Sequence, residues 1–112
     1  MTDLTKLLAR VEAATGPDRK LDARLYVNLH PAPDANAVAP RYTEISSTAL
    51  DLVESLGFTL HSVSPDMDGK WEASVIRGSY RERGWGVVGS ATAPLAILAA
   101  LLRALIASEV KS

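Results

Sequence analysis

The segment from Thr92 to Arg103, Thr-Ala-Pro-Leu-Ala-Ile-Leu-Ala-Ala-Leu-Leu-Arg, constrains this chain more than any other. Thr92 can cap a helix, and Pro94 falls in its first turn, where a missing N–H costs little. All eight residues from Leu95 to Leu102 are apolar, so the helix presents no polar face until Arg103. A membrane span takes about 20 apolar residues, so this run is too short to be one. A helix that is apolar all round has to be covered on more than one side. A sheet can cover one side, and another helix or another subunit must cover the rest. Ala93, Ala96, Ala99, Ala100, Ala104 and Ala107 permit close approach of a partner backbone. The expectation is a homo-oligomer formed through this helix, which is placed at about 92–109.

The remaining elements follow from periodicity and punctuation. At 112 residues the chain is expected to be one domain, 1–112, with one core. Leu4, Leu7, Leu8 and Val11 form a helical stripe between Thr2 or Asp3 as cap and about Ala14, and Gly16-Pro17 stops it. Asp18 can cap a second helix lined by Leu21, Leu25 and Leu29, although residues 24–29 also read as a strand. Residues 30–41 carry three prolines and four alanines without periodicity, and read as a loop. Ser46 or Ser47 then opens a helix from about Thr48 to Leu56, with Gly57 as its stop. Beyond Gly57 the period changes to about two. Phe58, Leu60 and Val63 alternate imperfectly with polar residues. Trp71, Ala73 and Val75 alternate cleanly, and Trp85, Val87 and Val88 suggest a third strand. Short links favour antiparallel pairing. The fold class is therefore α+β, with a short antiparallel sheet of about three or four strands flanked by N-terminal helices and the long apolar C-terminal helix.

Composition removes several function classes. A net charge of −1 gives no general field for nucleic acid or an anionic membrane. The absence of cysteine excludes thiolate chemistry and disulfides, and fits a cytoplasmic protein. His30 and His61 have no ligand partner at metal-binding spacing, so no metal or cofactor is expected. Asp66-Met67-Asp68-Gly69 reads as a hairpin turn, because the loop runs into Lys70-Trp71 without the last acidic ligand of a calcium site. Asp51 and Glu54 read as a solvated helix surface. No nucleophile–base pair can be named, so no catalytic residues are assigned and an enzyme is not expected. One stretch has binding chemistry, Arg77-Gly78-Ser79-Tyr80-Arg81-Glu82-Arg83-Gly84-Trp85. Arg77, Arg81 and Arg83 can grip phosphate in bidentate fashion, and Tyr80 and Trp85 can stack on a base. Arg103 can converge on the same ligand or simply surface at the helix rim. The competing reading of the stretch is a set of charges guarding an exposed hairpin, with Tyr80 and Trp85 in packing roles.

Three segments together resemble small phage-encoded proteins of the phage ABA-sandwich domain type. They are Leu7 to Ala23, which ends in Leu21-Asp22-Ala23; Ser47 to Ala73; and the Thr92-Ala93-Pro94-Leu95-Ala96-Ile97 helix start. They cover roughly two-thirds of the chain, and the last is the most specific. The chain departs from that type in its Pro/Ala loop at 31–40 and in Leu98, which stands where a cysteine is frequent. More distantly it is similar to phage anti-defence nucleotide sponges of the Thoeris anti-defence type. In those proteins, arginines of the last helix and an aromatic residue clamp a cyclic nucleotide at a subunit interface. Only Arg103 and the 77–85 stretch are available for such parts here. The resemblance implies a non-enzymatic phage accessory protein in the host bacterial cytoplasm that sequesters a small phosphorylated ligand, such as a cyclic nucleotide immune signal. The alternative is a protein–protein inhibitor or adaptor that binds a host protein through the same basic, aromatic stretch.

Overall fold

The computed structural model describes residues 2–30, 34, 36–76 and 85–111. Its elements are α1 (Thr2–Ala13), α2 (Arg19–Leu29), α3 (Ser46–Ser55), β1 (Thr59–Pro65), β2 (Trp71–Ile76), β3 (Trp85–Ser90) and α4 (Ala93–Lys111). The strands form an antiparallel sheet in the order β1-β2-β3. The α+β class, with helices before the sheet and one long helix after it, is the class expected from the sequence.

Helix termini follow the local chemistry closely. The Asp18 side chain accepts the Leu21 N–H at 3.1 Å and caps α2. That helix runs through Leu29, so residues 24–29 are helical and not a strand. Thr92 caps α4 through its hydroxyl, which accepts the Leu95 N–H at 3.3 Å. α3 differs from expectation at its start. Its cap position is Ile45, which has no side-chain acceptor, and Ser46 and Ser47 already lie inside the first turn. Its end is as expected. Gly57 has φ +87°, and the Gly57 and Phe58 N–H groups donate to the Glu54 and Val53 carbonyls, both at 3.1 Å. This is the Schellman arrangement, which needs a residue comfortable in left-handed backbone.

Strand β1 explains its own imperfect alternation. Leu60 pairs with Val75 and Ser62 with Ser74, and the register slips between them, leaving His61 as an extra residue. A bulge of this kind shifts every later side chain by one position. Val63, opposite Ala73, thus returns to the face that Leu60 shares with Val75. The opposite face is polar. The hydroxyls of Ser62 and Ser74 are 2.9 Å apart, and Ser64 donates to Glu72 at 3.5 Å. The hairpin joining β1 to β2 is organised by Asp66, whose Oδ1 accepts the N–H groups of Asp68 and Lys70, both at 2.9 Å. This carboxylate is spent on the turn, as the hairpin reading of the segment requires.

α4 is the centre of the molecule. It packs across all three strands on one side and against α1 and α3 on the other. Every residue from Leu95 to Leu102 is buried, as is Ala104. The cover that the sequence assigned to another helix or another subunit is supplied for these residues by α1 and α3 of the same chain. The apolar run therefore no longer argues for an oligomer. Among the described residues, no helix is long and apolar enough to cross a membrane.

Candidate functional site

Of the residues singled out in the sequence, Arg77, Tyr80, Arg81 and Arg83 lie outside the described residues. Trp85 opens β3 and pairs with Val75 of β2. Arg103 surfaces at the rim of α4, where its Nη2 donates to Glu12 Oε2 of α1 at 2.7 Å. Both side chains are about half exposed, and an ion pair of that kind contributes on the order of 0.2–1 kcal/mol. The pair commits Arg103 to α1, while Trp85 belongs to the sheet on the other side of α4.

The helices present a different cationic site. Lys6 and Arg10 lie four residues apart on α1, and Arg24 and Asn28 four apart on α2, so each pair shares one face of its helix. These four side chains and Leu7 line a groove of about 130 Å³. Asn28 donates its Nδ2–H to the Arg24 carbonyl at 2.8 Å, which holds the amide along the helix. No described carboxylate forms an ion pair with Lys6, Arg10 or Arg24. Like charges four residues apart on a helix repel, so the Lys6–Arg10 face carries a small standing cost that a bound anion would relieve. The spacing was readable in the sequence. What was not readable was that α1 and α2 lie side by side.

The start of α2 carries a polar cluster that sequence reasoning missed. Asp22 is fully buried in α2. Its Oδ1 accepts the Thr43 N–H and the Thr43 hydroxyl, each at 2.8 Å, and its Oδ2 accepts Arg19 Nη1 at 2.8 Å. The Asp18 N–H donates back to the Thr43 hydroxyl at 2.8 Å, and Arg19 Nη2 donates to the Ala39 carbonyl at 2.8 Å. Both carboxylate oxygens thus have donors, which is the condition for burying a carboxylate. The cluster ties the far end of the 30–41 loop to the start of α2.

Tyr42, next to Thr43, is buried at 2% exposure. Burial, with Tyr26 and Asp22 nearby, pushes its hydroxyl from 10.0 up to about 12. The raised value favours the protonated form in the folded state. Stability linked to Tyr42 is therefore complete below pH 10 and lost as pH rises towards 12. Urea unfolding between pH 10 and 12 should show a slope of up to about 1.4 kcal/mol per pH unit from this group. The Tyr42→Phe variant should lack that contribution, and an unchanged slope would refute it.

The chain was compared with protein-family models, curated proteins and solved structures, and none of the three comparisons found a match.

Proposed function

We propose that this protein binds and sequesters a small phosphorylated ligand of the cyclic-nucleotide class without turning it over. The supporting observation is the α1–α2 groove, where Lys6, Arg10 and Arg24 face one space with no described counter-charge. Arginine and lysine donors around a phosphate form charge-assisted hydrogen bonds, roughly twice as strong as neutral ones. A groove of about 130 Å³ has room for one phosphoryl group between these donors. The ligand is then held by its phosphate, with base and sugar outside the groove. No described carboxylate, imidazole or hydroxyl lines the groove, and in this reading the Lys6 ammonium serves as a phosphate contact beside the two arginines. Binding without chemistry is what a sequestering protein needs.

Calorimetry against pyrophosphate, cyclic di- and trinucleotides and cyclic ADP-ribose isomers tests this reading. Binding should weaken with salt, as exposed charge interactions do. The Arg10→Ala/Arg24→Ala double variant should lose at least about tenfold in affinity while keeping the wild-type melting temperature. Absence of heat and of thermal stabilisation with all of these ligands, at ligand excess and low salt, would overturn it.

A further inference from the structure

A second cleft, of about 230 Å³, opens between the C-terminal end of α2 and the exposed face of α3. His30, Pro40, Tyr42, Thr48, Asp51 and Leu52 line it. Ser55 also borders it, but its hydroxyl already donates to the Leu52 carbonyl at 2.8 Å. Tyr42 is almost wholly buried, yet no described residue hydrogen-bonds its hydroxyl. No buried side-chain oxygen or nitrogen among the described residues lacks a partner, so the Tyr42 hydroxyl retains solvent access, and the cleft is the opening that Tyr42 lines. Asp51 stands at the rim, exposed, with no described cation paired to its carboxylate. Among the described residues the cleft therefore offers the Tyr42 and Thr48 hydroxyls and one anionic acceptor, beside the apolar surfaces of Leu52 and Pro40 and the ring of His30. That ring packs against Tyr26 at a tilt of 47°, with centroids 4.9 Å apart.

We propose that this cleft binds a nucleobase, with a ring acceptor taking the Tyr42 O–H and a neighbouring ring N–H donating to Asp51. A base edge presents such donors beside acceptors, and its faces are served by flat or apolar walls. A single carboxylate in a mostly apolar cleft suits a neutral ring better than a polyamine, whose several charges would need several carboxylates. The site is separate from the α1–α2 groove. His30 follows Asn28 by two residues, which turns it to the other side of α2.

Nucleosides carry no phosphate, so they probe this cleft without engaging the cationic groove. Adenosine, guanosine, cytidine and uridine are titrated into the ¹⁵N-labelled protein. At least one should give saturable shifts of the Thr48 and Leu52 amides, and pyrophosphate should leave those amides in place. Tyr42→Phe and Asp51→Asn should each weaken the nucleoside at least tenfold while the melting temperature near neutral pH stays that of the wild type, since neither removed group has a described protein partner. If Tyr42→Phe does not fold, Asp51→Asn alone decides. Absence of saturable shifts with all four nucleosides, or shifts that persist with unchanged affinity in the variants, would overturn the proposal.

Discussion

Asp22→Ala is expected to lower the unfolding free energy by about 3 kcal/mol. The carboxylate accepts three hydrogen bonds, two of them from Thr43, and is fully buried. Hydrogen bonds to a charged group are worth about 1.5–3 kcal/mol each, and a buried donor left without a partner costs about 1–3 kcal/mol. The Thr43 N–H would be such a donor. The Thr43 hydroxyl would be partly rescued by the Asp18 carbonyl, which lies 3.3 Å away. Arg19 is 41% exposed and would return to water at little cost. Asp22→Asn keeps one acceptor oxygen for Thr43 but turns an amide N–H₂ towards Arg19, so about half the loss is expected. Urea denaturation with an unchanged m-value checks both. A loss below about 1 kcal/mol for Asp22→Ala would mean that the cluster contributes little to stability.

Leu98→Ala should be at least as damaging, at about 3–4 kcal/mol. Leu98 is fully buried in α4, the helix packed between the sheet on one side and α1 and α3 on the other. A cavity there has packed elements on both sides, and neither can collapse into it without giving up contacts elsewhere, so relaxation recovers little. Small domains have about 5–15 kcal/mol in total, so thermal unfolding should drop by more than about 10 °C. Leu105→Ala, at a half-buried position on the same helix, is the control and should cost about 1 kcal/mol. Equal losses at the two positions would contradict the central placement of α4.

These two positions also mark what the sequence made legible. The apolar run of α4 and its Thr92-Ala93-Pro94 start are local signals, and the helix lies where they place it. Asp18 and Gly57 are read as easily, because a cap acts within a few residues of itself. β1 was harder, since one extra residue at His61 breaks a period of two halfway along a short strand. The Asp22–Thr43 contact spans 21 positions across a loop without periodicity, so nothing near Asp22 announces a buried partner. The candidate sites were the least legible. The Lys6/Arg10 and Arg24/Asn28 spacings are visible, but their meeting depends on how α1 lies along α2. The Tyr42–Asp51 cleft depends on where the loop returns the chain. The stretch whose composition drew attention, 77–84, lies outside the described residues.

The same His61 irregularity bears on how this molecule keeps company with its own kind. β1 is an outer strand among the described residues, with β2 as its strand neighbour and its other side unpaired by any described strand. A straight outer strand offers an evenly spaced row of amides and carbonyls on which another chain can grow. Here the row is broken by the bulge near its start and ended by Pro65, which has no amide hydrogen to give. The defect that blurred the strand's pattern thus makes its free edge a poor seed for fibrillar growth.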